Sequence, residues 1–284
     1  MCLLTVLFNV HPEAPVVVAG NRDERYVRPA KPVQALQPSA PRVLGGLDVL
    51  AGGTWLAVNE HGVFAGLTNR PAPGGRDPSR RSRGELPLLL AGYADADTAV
   101  KALQKQIHCS EYNPCWLFVG DRQALYYIII GGNDEPETSR LSTGIHVLEN
   151  RPLDARSAKV SMIRRALIPA ATWLGSALSG EFQSLLGSHE IPASDGRELT
   201  EENDPRPLQL SAACVHTEHY GTRSAMLIVI PAASDALPRV YYADGPPCIT
   251  PLQDASQLWR AQRDAGQGDA HLPKNGGRWP NLAS

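Results

Sequence analysis

The sequence predicts an α+β fold built as a four-layer αββα sandwich: two packed, mainly antiparallel sheets with helices outside. Three observations carry that prediction. Apolar strands come in hairpin-linked pairs. Helical stretches come in pairs between the groups of strands. The βαβα alternation of a parallel sheet is absent.

Leu3–Val10 and Val16–Gly20 are aliphatic and β-branched runs, separated by His11-Pro12-Glu13-Ala14-Pro15, a short link whose two prolines mark a hairpin loop. The second strand runs straight into Asn21-Arg22-Asp23-Glu24-Arg25. Residues 28–46 are Pro-rich and read as an irregular loop covering something. Gly52–Asn59 and Gly62–Asn69 form another hairpin, turning at Glu60-His61-Gly62. Arg70–Arg83 is rich in Pro, Gly and Arg and reads as a mobile loop.

Ser82–Gly92 and Asp95–Gln106 place Leu86, Leu89, Leu90 and Ala99, Leu103 at helical spacing. Trp116–Gly120 and Leu125–Ile130 pair around Asp121-Arg122, and Thr143–Leu148 is a short strand. Ala155–Ile168 and Ala170–Leu186 are the second helical pair, followed by a polar loop over 187–210. Cys214–Thr217, Ser224–Ile230 and Arg239–Ala243 complete the strands, and Leu252–Ala265 reads as a last helix. No internal repeat or linker interrupts the chain, so residues 1–265 form a single domain with a loose tail over 266–284.

Composition narrows the function. A formal net charge of -2 gives no electrostatic footprint for nucleic acid. The five cysteines are odd in number and include no Cys-x-x-Cys pair, which suits a reduced, cytoplasmic protein. No basic region precedes the apolar start, and no stretch approaches the roughly 20 apolar residues of a membrane span. A soluble protein acting on a small molecule is expected.

The chemistry gathers around Cys2. Removal of Met1 would give this residue a thiol and a free α-amine. The amine titrates near 7.7–8.0 and the thiol near about 8.5. One residue would then supply both nucleophile and base. A cysteine at a strand end also serves as a small apolar residue. In extended backbone Asn21 and Asp23 face one way, Arg22 and Glu24 the other. Antiparallel pairing brings this cluster near the chain start, where an arginine would lower a thiol pKa and a carboxylate would hold an ammonium. A solvated turn with an ordinary ion pair is the competing reading.

Asn69 and Asn150 each end an apolar strand. Asparagine there is either a non-titrating donor to an oxyanion or ordinary turn chemistry. Arg223, within Tyr220-Gly221-Thr222-Arg223-Ser224, stands at a strand start. His216-Thr217-Glu218-His219 lacks the His-Glu-x-x-His spacing of helical zinc sites and has no evident third ligand, so no metal is expected.

Together, Met1-Cys2, Asn21-Arg22-Asp23-Glu24, Gly66-Leu67-Thr68-Asn69-Arg70, Ser82-Arg83-Gly84 and Tyr220–Ser224 resemble the NRDE family, also called the transport and Golgi organisation protein 2 family. The same landmarks are similar to the cysteine N-terminal-nucleophile (Ntn) hydrolases of the bile salt hydrolase and penicillin V acylase group. That resemblance implies an αββα fold, a nucleophilic Cys2 and hydrolysis of a non-peptide amide bond. It implies Asp23 at the terminal amine with Arg22 beside it, Asn69 N–H and the Asn150 side chain at the oxyanion, and Arg223 in the active site. Asn21 and Glu24 would contact substrate. Those hydrolases space the corresponding Arg and Asp three residues apart, the separation Asn21 and Glu24 have here, which leaves open which pair faces Cys2. No cofactor is required. The family also implies an alternative, a haem-binding protein for haem trafficking that uses the fold without turnover.

Overall fold

The computed structural model describes residues 2–37, 39–72, 74–192 and 208–260. Strands β1 (Cys2–His11) and β2 (Ala14–Arg25) form the first hairpin and sit at the middle of a six-stranded antiparallel sheet. Its order is β10 (Gly144–Leu148), β1, β2, β11 (Tyr220–Ile230), β12 (Arg239–Ala243) and β13 (Gln253–Asp254). The second sheet is a seven-stranded meander. It runs through β3 (Ala30–Gln37), β4 (Val43–Asp48), β5 (Leu56–Asn59), β6 (Phe64–Asn69), β7 (Cys115–Gly120), β8 (Leu125–Ile130) and β9 (Glu137–Arg140) in sequence order.

Strand periodicity explains the layers, because successive side chains leave a strand on opposite faces. Leu4, Val6 and Phe8 of β1 enter a core between the sheets, against Leu56, Val58, Phe64 and Phe118. Leu3 and Leu7 point outward and meet Ile163 and Leu167 of α3 (Ala158–Leu167) and Phe182 and Leu186 of α4 (Leu178–Leu186). On the far side, Leu67, Leu117 and Ile128 pack against Leu86 and Leu90 of α1 (Glu85–Leu90) and Ala99 and Leu103 of α2 (Ala96–Gln106). The result is the expected αββα sandwich. Each fully buried Leu or Phe in these layers contributes about 1.5–3 kcal/mol relative to exposure. Two helix starts carry side-chain caps: Asp95 accepts from Thr98 N at 2.7 Å and Ser157 from Val160 N at 3.2 Å. Among the described residues no helix is long and apolar enough to cross a membrane.

Three expectations need correction. Residues 28–46 are not an irregular loop, since they contain β3 and β4. β3 is an edge strand, where Pro32 is tolerated because the register shifts between Lys31 and Val33. In β4 the ring of Trp55 lies on Gly46, where a Cβ would stand 2.1 Å from the indole. Cys214–Thr217 is not a strand either; it has a single bridge, His216 to Gly221. Within Leu252–Ala265 the structure has the two-residue β13 and a 3-10 turn at Ser256–Trp259 instead of a helix, and residues 261–265 lie outside the described residues. The tail at 266–284 and most of the loop at 187–210 also lie outside them.

Candidate active site

The polar tetrad is part of β2, which continues through it to Arg25. Its side chains alternate as the extended backbone requires, so the tetrad has two faces with different partners. On the outer face, Asn21 Nδ2 donates to the carbonyls of Leu186 at 2.9 Å and Ala213 at 2.8 Å. Asp23 Oδ1 accepts from Thr222 Oγ1 at 2.7 Å, and Tyr220 donates its hydroxyl to the Asp23 carbonyl. Burial raises the Asp23 carboxyl above its ordinary value, against the opposing charge of Lys159 and the Thr222 hydrogen bond.

On the other face, Arg22 is buried and turns toward the second sheet. Its Nη2 donates to Asp48 Oδ2 at 3.1 Å, and its guanidinium lies 5.2 Å from the centroid of Trp55. Asp48 Oδ2 also accepts from Arg28 Nε at 2.7 Å, while Oδ1 receives the backbone N–H of Ala51. Glu24 makes a longer pair with Arg28, at 3.6 Å. Arg22 Nη1 and Trp55 Nε1 are buried without a hydrogen-bond partner among the described residues.

These groups wall a cavity of about 340 Å³. The wall holds six arginines, Arg22, Arg25, Arg28, Arg76, Arg81 and Arg83, against three carboxylates, Asp23, Glu24 and Asp48. Trp55 and Leu67 supply an apolar portion, and Asn69 borders it. The excess of guanidinium suits a ligand that carries carboxylate or phosphate. Ser82-Arg83-Gly84 closes one side. There the Gly84 carbonyl accepts from Thr54 N at 3.0 Å, and Gly53 passes so near Gly84 that a Cβ on Gly53 would stand 2.4 Å from its backbone.

The register answers which part of the tetrad meets the chain start. Cys2 takes the position opposite Arg22 in the β1–β2 ladder. Asn69 and Asn150, at the ends of β6 and just past β10, come together across the two sheets, with Asn150 Nδ2 donating to the Asn69 carbonyl. Beside them Thr68 Oγ1 donates to the Glu149 carbonyl at 3.0 Å. Arg223 goes elsewhere. A bulge between Thr222 and Ser224 leaves it unpaired in the ladder. Its guanidinium donates to the Tyr26 carbonyl and lies 6.0 Å from the centre of the Tyr26 ring, and Arg223 does not line the cavity. Asp48, Trp55 and Arg28 are wall residues that sequence reasoning missed. Their one signal is the Gly45-Gly46 pair, a spacing that admits a large ring.

The chain matches the family described as Transport and Golgi organisation 2 over residues 1–236. It is 27% identical over 256 residues to the Transport and Golgi organization 2 homolog of Mus musculus, covering 82% of this chain and 89% of the mouse protein. To the homolog of Bos taurus it is 29% identical over 258 residues, with the same coverage. Among solved structures it is similar to the C2A mutant of conjugated bile acid hydrolase from Clostridium perfringens. That likeness has a TM-score of 0.50 and 11% identity, and covers 90% of this chain and 93% of the other. At that identity it is a likeness of fold.

Proposed function

This chain belongs to the Transport and Golgi organisation 2 family, and on that premise we propose that it is an Ntn-type cysteine hydrolase cleaving a non-peptide amide bond in an anionic substrate. The observation that carries the reading is the register of Cys2 opposite Arg22, in a strand pair whose polar end borders the arginine-rich cavity. The fold is that of the Ntn hydrolases, and fold alone does not confer activity.

After loss of Met1, the α-amine of Cys2 takes the thiol proton and the sulfur attacks the amide carbonyl. The C–N bond breaks, the amine leaves with that proton, and a thioester remains. Water then attacks the thioester, giving the acid and regenerating the thiol. Asp23 is the carboxylate for positioning the terminal amine, and Arg22 favours the thiolate. The Asn69–Asn150 pair is the candidate donor set for the oxyanion. Asn150 Nδ2 donates to the Asn69 carbonyl, which holds the two strand ends side by side. Arg223, whose guanidinium donates to the Tyr26 carbonyl, is assigned no chemical step in this scheme.

The test is turnover of N-acyl amines and N-acyl amino acids with and without an anionic group, using protein with an untagged N-terminus. Cys2→Ala is expected to lower kcat about a thousandfold or more, with anionic substrates preferred. Equal turnover in the variant would sink the mechanism. Saturable haem binding with no turnover in the parent protein would favour the haem-binding alternative instead.

A further inference from the structure

On the outer side of the first sheet, at the end of β2, four soft and borderline donors converge from three segments. His189 follows α4, Cys214 and His216 precede β11, and Cys248 follows β12. One donor atom from each lies within 4.8 Å of all the others. We propose that His189, Cys214, His216 and Cys248 bind one zinc-class divalent ion in a closed tetrahedral site that staples these three segments over the sheet.

The distances suit that geometry. His216 Nε2 is 3.6 Å from Cys214 Sγ and 3.3 Å from Cys248 Sγ. A tetrahedral zinc with bonds of about 2.3 Å to sulfur and about 2.0–2.1 Å to nitrogen has sulfur–nitrogen edges of about 3.6 Å. His189 and His216 have ring centroids 5.0 Å apart, tilted by 53°, so the rings converge without stacking flat. His189 Nδ1 lies 3.1 Å from the Cys214 carbonyl. A proton on Nδ1 donates there and leaves the Nε2 lone pair for the ion, an orientation device common to metal-bound histidines.

The chemistry agrees. Entry of the ion displaces one proton from each thiol. The two thiolates then cancel the 2+ charge, leaving a neutral centre compatible with burial. Two sulfurs and two imidazoles select zinc over magnesium or calcium, and four protein ligands mark the site as structural. His189 and His216 are exposed, which gives the ion a way in.

The surroundings hold the loops in place. Cys214 N donates to the Ser188 carbonyl at 2.8 Å, and Gly187 passes so near Cys248 that a Cβ on it would stand 3.1 Å from that backbone. Asn21 ties Leu186 to Ala213, one residue before Cys214. Thr222 joins Asp23 to Val215 N, between Cys214 and His216. The outer face of the tetrad therefore anchors the segments that carry three of the four ligands. Glu218 and His219, next to His216 in sequence, pair with each other at 3.4 Å on the surface.

The full chain, stripped with a chelator and titrated anaerobically with Co²⁺, tests the site. The expected result is about one equivalent bound, with thiolate-to-cobalt charge transfer and strong visible ligand-field bands, both displaced by Zn²⁺. Cys214→Ser should abolish the charge-transfer band at stoichiometric cobalt, while Cys109→Ser leaves it unchanged. If Cys214→Ser fails to fold, His189→Ala on the exposed edge serves, with cobalt affinity expected to fall at least about tenfold. No charge-transfer band in the parent chain, or a Cys214–Cys248 disulfide in peptides mapped from protein purified without reductant, would overturn the proposal.

Discussion

The two faces of the last turns of β2 share four consecutive residues and do different work. The outer pair, Asn21 and Asp23, hydrogen-bonds to the carbonyls of Leu186 and Ala213 and the hydroxyl of Thr222, while Asp23 also faces the Lys159 charge and borders the cavity. The inner pair, Arg22 and Glu24, meets charge: Asp48, Arg28 and an arginine-rich wall. A strand alternates its side chains, so one short polar sequence can fasten loops on one side and build a ligand wall on the other. The difference teaches that a concentrated polar motif need not be a single site. Its two parities are separable, and substitutions should separate them.

Asn21→Ala should have the largest effect, on stability. It leaves two buried carbonyls without their donor, an expected loss of about 2–4 kcal/mol, read by urea unfolding. Its surviving folded fraction should keep the parent KM. A loss of activity without a loss of stability would break the division of labour.

Arg22→Lys should show the opposite balance. Lysine keeps the charge opposite Asp48 but cannot hold both the Asp48 oxygen and the Trp55 face. We expect about 1–2 kcal/mol of destabilisation, softened because Arg28 still pairs with Asp48. Turnover should fall about 10–100-fold, with weaker binding of anionic substrates.

Asp23→Asn gives the smallest effect on stability and the one with a sign to check. Burial raises the carboxyl above its ordinary value of 3.8, so between that value and its folded pKa the native state holds the extra proton. Stability from this group is present at low pH and is lost as pH rises through the folded pKa. Relative to Asp23→Asn, the parent protein should therefore lose stability with rising pH across that window. Urea unfolding at a series of pH values measures the difference, and a gain with rising pH would contradict the burial argument.

Much of the fold was legible because it rests on local pattern. The near-continuous apolar run Leu3–Val10 announces a strand with two buried faces, and the hairpin link places the tetrad at the chain start. β3 was not legible, because an edge strand with a proline and half-exposed side chains lacks the apolar run that marks a central strand. The inner wall was legible only in part. Arg22 stands out in sequence, but Asp48 and Trp55 reach it from the other sheet, and sheet packing is not written in local spacing. Arg223 stood out in sequence, but its partner did not. One extra residue in the ladder redirects its side chain to Tyr26, and nothing in Tyr220–Ser224 signals that bulge. His216 was noticed beside the wrong neighbour, since Cys214, His189 and Cys248 join it through tertiary structure.

The central claim is that Cys2 is the nucleophile of the arginine-walled cavity. Mass spectrometry of the N-terminal peptide after brief incubation with an activated anionic N-acyl substrate and rapid acid quench tests it most directly. The account predicts a peptide beginning at Cys2 and carrying the acyl mass as a thioester. A peptide that retains Met1, or an acyl group found only on another residue, would contradict it.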